Sequence, residues 1–255
     1  MPTSFLTKVR KKSATLVRSS LVGTVAHRLV PPGTQGDFGV LFALSQAGVP
    51  IVITPADAAR HLGLDCAELG PIPLAAGRLA PEPRLQPDYF DTGELTIQVL
   101  LALCRQMRPD IVVETGVANG VSTRALLGAL DENANGRLIS FDVDERCADV
   151  VGGAPGNERW SFELLPERGT ADALRAFGSQ HEGQVGLWYH DSDHRYAWQA
   201  VEYVIARRCL AAGGVLAADD VDWNTAFADF VAADPDLTSV AIFDSTKVSG
   251  FALLA

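Results

Sequence analysis

Residues 111–123 read IVVETGVANGVST, and this short segment constrains the fold more than any other. Its opening run of β-branched residues suits a strand buried on both faces of a parallel sheet. Glu114 closes that strand at its carboxyl end, where open α/β sheets hold their ligands. Gly116 and Gly120 carry no Cβ, so the backbone there can turn sharply and approach a ligand closely. The spacing is E-x-G-x-x-x-G, not the G-x-G-x-x-G of the dinucleotide fingerprint, and the third small residue is missing. The segment predicts a nucleotide-like ligand without a pyrophosphate; the plain alternative is an ordinary βα turn.

The surrounding pattern extends this strand into a sheet. TGELTIQVLLALCRQMRPD has apolar residues at helical spacing and stops at Pro109, which predicts a helix leading into the first strand. Strands are expected at IVVE, RLISFDV, SFELL, QVGLWYHD and GVLAADDV, separated by helices at STRALLGAL, TADALRAF, YAWQAVEYVIARRCL and NTAFADFVAA. An Ala-Ala-Gly-Gly stop separates the helix YAWQAVEYVIARRCL from the strand GVLAADDV. Two final runs, SVAIFD and VSGFALLA, are joined by a Ser-Thr-Lys link that suits an antiparallel hairpin. The expected architecture is α/β: a doubly wound, Rossmann-like, seven-stranded, mostly parallel sheet ending in an antiparallel hairpin. That hairpin separates it from a plain nicotinamide-binding sheet.

Residues 91–255 would form this domain, and residues 1–90 an irregular N-terminal extension or lid. Within the extension, Thr54 and Pro55 mark the start of a short helix, TPADAARHLGL. Residues 1–30 carry Lys8, Arg10, Lys11, Lys12, Arg18 and Arg28 without an acid, while the whole chain has a formal charge of -10. That basic stretch reads as a solvated helix or frayed terminus, with an amphipathic helix on an anionic surface as the alternative. The acidic body argues against a nucleic-acid substrate. No apolar run is long enough to span a membrane and no secretory signal is evident, so a cytoplasmic protein is expected. Cys66, Cys104, Cys147 and Cys209 form no CxxC pair and read as buried free thiols. An unplaced extension is compatible with a homo-oligomer.

Several strand ends carry chemistry. Asp142, after the second strand, can accept from two ribose hydroxyls at once, with Asp144 as the fallback. Arg168, Gly169 and Thr170 fall near where an adenine ring would lie. Asp191, Asp219 and Asp220 should converge at the ends of neighbouring strands. Three carboxylates together need a divalent cation, a basic partner or protonation. An all-oxygen set suits a hard ion such as Mg²⁺; the alternative is that these aspartates cap helices, as Asp222 could do before TAFADF. His194, three residues beyond Asp191, could reach the same cleft and act as a general base. His190 should face the other side of the sheet.

Over residues 92–255 these features resemble the class I S-adenosylmethionine-dependent methyltransferases, through ETGVANGVST and the closing SVAIFD/VSGFALL pair. The HDSDH and ADDV segments resemble the metal-dependent O-methyltransferases that act on small molecules and macrolide sugars. The resemblance implies S-adenosylmethionine held by Glu114, Thr115, Gly116, Asn119, Gly120, Ser122, Asp142, Thr170 and Asp191. It also implies Mg²⁺ held by Asp191, Asp219 and Asp220, and His194 as the base acting on a small-molecule hydroxyl. Asp219-Asp220 stands where many catechol-type members have Asp-Asn, and His194 where they have Lys, which favours the sugar-like branch. A non-catalytic assembly partner and a nicotinamide oxidoreductase are the competing expectations.

Overall fold

The computed structural model describes residues 37–69, 84–87, 91–152, 157–166, 168–244 and 247–255. The basic stretch within residues 1–30 lies outside them, as does most of the proline-rich segment before residue 84. The described helices are α1 (Asp37–Gln46), α2 (Pro55–His61), α3 (Glu94–Met107), α4 (Val121–Asn133), α5 (Thr170–Gln180), α6 (Tyr196–Cys209) and α7 (Ala226–Ala233). The strands are β1 (Ile51–Val52), β2 (Ile111–Thr115), β3 (Arg137–Asp142), β4 (Trp160–Leu164), β5 (Val185–His190), β6 (Leu210–Ala218), β7 (Leu237–Asp244) and β8 (Lys247–Leu254).

They form one sheet in the order β1-β7-β8-β6-β5-β2-β3-β4. Only β8 runs antiparallel, to both β6 and β7; every other pairing is parallel. The seven expected strands and the closing hairpin are present, so the sheet is the mostly parallel one with a terminal antiparallel pair that the sequence predicts, not a plain nicotinamide-binding sheet. An eighth strand comes from the N-terminal region: Ile51 and Val52 pair with Ala241 and Ile242 at the edge. Two residues are too few to show a period, which is why the sequence pattern passes over them.

Alternation along the strands builds two cores. Val112, Leu138, Leu187, Val215 and Ile242 face α2, α3 and α4. Val113, Ile139, Trp188, Leu216 and Phe243 face α1, α5, α6 and α7. Both faces are covered by helices, as a parallel sheet requires.

Local signals set the helix ends. Thr54 accepts the Asp57 amide at 3.1 Å, with Pro55 beginning α2. α3 ends at Arg108 in the left-handed region (φ 48), before Pro109 ends further propagation. The Ala-Ala-Gly-Gly segment is not a separate stop: α6 passes straight into β6, whose first residues carry a register shift against β5. Among the four cysteines, all free, Cys66 is exposed where burial was expected and the other three are buried. No described helix is long and apolar enough to cross a membrane.

Candidate functional site

The carboxyl ends of β2, β3, β5 and β6 converge on one edge of the sheet. At β2 the chain turns through Gly116 (φ +86), and a Cβ there would lie 2.1 Å from the Asp191 carbonyl oxygen. Only glycine fits so close an approach. Gly120 (φ +73) then starts α4 with no side-chain cap, leaving first-turn amides suited to an anionic group such as a carboxylate. Asp142 Oδ2 accepts the Val117 and Ala118 amides at 2.8 and 3.3 Å, and its Oδ1 accepts the Asp144 amide at 3.0 Å. Asp142 is half-buried at this edge, beside the turn it braces. An uncapped helix start and an edge carboxylate are donors and acceptors of the kind an amino-acid-bearing nucleoside needs.

Glu114 sits behind the turn. It is wholly buried and accepts from the hydroxyls of Ser122 (2.6 Å), Thr123 (2.7 Å) and Ser140 (2.7 Å), tying β2 to α4 and β3. Burial pushes its carboxyl up to about 6, against the pull of those hydroxyls. Thr115 is also buried and donates to Glu202 on the α6 side. Asn119 is committed elsewhere: it bonds both backbone groups of Gln86 (2.9 and 3.1 Å) and Asp91 Oδ1 (3.3 Å). Asp91 also pairs with Arg84 at 2.6 Å. Thr170 opens α5 and gives its hydroxyl to the Pro166 carbonyl at 2.6 Å.

The second half of the edge collects the acids. Asp191 Oδ2 accepts from Thr92 (3.1 Å) and Tyr189 (3.2 Å), while its Oδ1 lies 3.7 Å from His194 Nε2. Asp220 Oδ2 lies 3.8 Å from the same nitrogen, and Asp220 itself has a positive φ of 49. His194 therefore joins both carboxylates, as the i, i+3 spacing from Asp191 anticipates. Burial depresses the His194 imidazole to about 4, with His190 adding to the effect, so the ring is neutral at neutral pH. Burial, then Asp219 and Asp220, raise the Asp191 carboxyl well above the usual range, and Lys247 opposes them. His190 Nδ1 turns to Glu202 of α6 at 2.9 Å, but its ring also meets the His194 ring edge-on with centroids 5.6 Å apart, so it is not separated from the cluster as the strand alternation suggests. Asp222, expected before α7 as a cap, accepts the Val248 amide at 3.3 Å, and Asn224 accepts the Ala226 amide at 2.8 Å where α7 begins.

Asp219 has a partner that no sequence motif announces. It is wholly buried, forms an ion pair with Lys247 through Oδ2 and accepts the Ser249 hydroxyl at 2.6 Å through Oδ1. The β6–β8 register holds the signal: Ala218 opposes Gly250, so Ser249 opposes Asp219 and Lys247 lies two residues on, along the same face. Burial pulls the Lys247 ammonium down, but Asp219, Asp191 and Asp220 outweigh it and hold its proton affinity above the usual lysine range. With both Asp219 oxygens engaged and an ammonium among the acids, Asp191, Asp219 and Asp220 do not fit a divalent cation as they stand. Among the described residues no group of three or more His, Cys, Asp or Glu is placed to hold a metal. The basic partner, one of the three ways to neutralise the cluster, is the one the residues supply.

Residues 113–221 match a family described as a methyltransferase domain, a span from β2 to the loop after β6. No curated protein matches the sequence. Among solved structures, an O-methyltransferase from Bacillus cereus in complex with SAH aligns with a TM-score of 0.54 and 17% identity over 96% of this chain and 100% of that one. The O-methyltransferase TomG from Streptomyces achromogenes, involved in tomaymycin synthesis and solved with SAM, aligns with a TM-score of 0.54 and 16% identity over 92% and 96%. A putative O-methyltransferase from Klebsiella pneumoniae gives 0.52 and 15% over 96% and 99%.

Proposed function

We propose that this chain, which carries a methyltransferase domain on the class I methyltransferase fold, transfers a methyl group from S-adenosylmethionine to a hydroxyl of a small molecule. One observation carries the reading: the matched span contains both the glycine turn and the cluster of Asp191, His194, Asp219 and Asp220, which share one sheet edge. Two of the aligned structures are O-methyltransferases with SAH or SAM bound, which supports the same cofactor and acceptor atom for this chain.

The uncapped start of α4 would receive the cofactor's carboxylate and Asp142 its ribose hydroxyls. Glu114, Thr115 and Ser122 would serve by holding the turn in shape, and Gly116 and Gly120 by admitting the ligand. When bound, S-adenosylmethionine supplies a methyl group already activated by the positive sulfonium. What remains for the protein is to align an acceptor oxygen and remove its proton, and alignment alone can supply about 7–11 kcal/mol in well-oriented systems.

His194 takes that proton. A base depressed to about 4 cannot ionise a free hydroxyl, so the proton leaves as the oxygen–carbon bond forms and the oxygen becomes acidic. The positive charge that the departing methyl donor gives up would then reside on the His194 imidazolium. Asp191 and Asp220, within 4 Å of Nε2, then stabilise it. The proposal assigns no step to Mg²⁺.

Calorimetric titration with SAH tests the cofactor; no binding at submillimolar concentration would defeat the reading. With a labelled methyl donor and a panel of phenolic and sugar acceptors, His194→Ala is expected to lower turnover by about 10² to 10⁴ while SAH affinity stays near wild type. Full turnover in that variant would remove His194 from the base role.

A further inference from the structure

We propose that the ammonium of Lys247 stands permanently where a divalent cation would otherwise bind in the strand-end aspartate cluster, so that methyl transfer by this chain needs no metal ion. The inference rests on the functional reading above only for what the cluster is used for; the occupancy itself stands on geometry.

A metal shared by three carboxylates needs an oxygen lone pair from each, turned to a common point clear of other cations. At Asp219 that point is taken by a cation: Oδ2 is paired with the Lys247 ammonium, while Oδ1 receives Ser249. Asp219 is 0% and Lys247 7% exposed, so this pair is enclosed rather than a loose surface contact. Its position follows from strand pairing, because the antiparallel β8 lies directly against β6 and delivers Ser249 and then Lys247 to the Asp219 side. A divalent ion entering here would meet an ammonium already bonded to its ligand. It could bind only by expelling a buried charge from its partner, and breaking such pairs is costly. Lys247 therefore does the neutralising that Asp191, Asp219 and Asp220 require, and it does so with a charge that chelators cannot remove.

The test titrates the purified full chain with Mn²⁺, following binding by calorimetry and by loss of the free-ion electron spin resonance signal. Wild type is expected to show no binding below millimolar concentration, and its melting temperature should respond to neither Mg²⁺ nor EDTA. Lys247→Met, which opens the position and keeps the volume, should bind Mn²⁺ at least about tenfold more tightly than wild type and gain stability from it. Stoichiometric micromolar Mn²⁺ binding by wild type would overturn the proposal, as would a folded Lys247→Met with no gain. If that variant does not fold, the wild-type titration still decides. A parallel SAH titration separates the two readings, since its failure would remove the methyltransferase function without touching the Mn²⁺ result.

Discussion

Glu114 and Asp219 are both wholly buried carboxylates at one edge of the sheet, yet three neutral hydroxyls surround the first and an ammonium with one hydroxyl holds the second. Hydroxyls orient a carboxylate and satisfy its oxygens, but they bring no charge to offset burial, and Glu114 is accordingly pushed up to about 6. The ammonium brings that charge. The glycine-turn half of the edge is thus built to fix a turn, whereas the acidic half is built to hold several acids around a neutral imidazole. Loss of a partner should therefore hurt the second half more than the first.

Lys247→Met gives the largest expected effect. It strands Asp219 in the interior and should reduce unfolding free energy by about 3–5 kcal/mol in metal-free buffer, read by chemical denaturation. A loss below about 1 kcal/mol would mean that the pair is not the support described here. Next comes the pH dependence of Glu114. Its carboxyl protonates at about 6 when folded and near the ordinary glutamate value of 4.5 when unfolded. Its contribution is thus fully present below the unfolded value and is lost as pH rises through the folded one. Over that window wild type should lose about 2 kcal/mol relative to Glu114→Gln, which cannot titrate. Parallel stability curves for the two proteins would show that the hydroxyl cage already offsets burial.

How far the sequence shows these differences depends on the range of the contact. The glycine turn, the five parallel strands and the closing pair are legible because each is a local pattern of period two or of turn residues. Convergence of Asp191, Asp219 and Asp220 follows once strand order is assumed. Lys247 and Ser249 are not legible in that way: both lie in a run read only as a hairpin, and their meeting with Asp219 depends on β8 being inserted between β6 and β7 in one particular register. Tyr189 and Thr92, which hold Asp191, are similarly hidden, since Thr92 precedes α3 and lies 99 residues from its partner. Glu202 belongs to the same class, a helix residue whose burial against His190 no helical period announces.

Asn119 gives the smallest expected effect. It lies in the glycine turn, where the family resemblance makes it a contact to the cofactor, yet its amide reads the backbone of Gln86 and touches Asp91. If fastening that segment is its work, Asn119→Ala should cost about 1 kcal/mol of stability in the absence of ligand. Its SAH affinity should then change by less than about tenfold, because no cofactor bond is lost. The opposite pattern, unchanged stability with much weaker SAH binding, would mean that the amide leaves Gln86 when the cofactor arrives. In that case the glycine-turn half of the edge is not the fixed scaffold that its contrast with the acidic half implies.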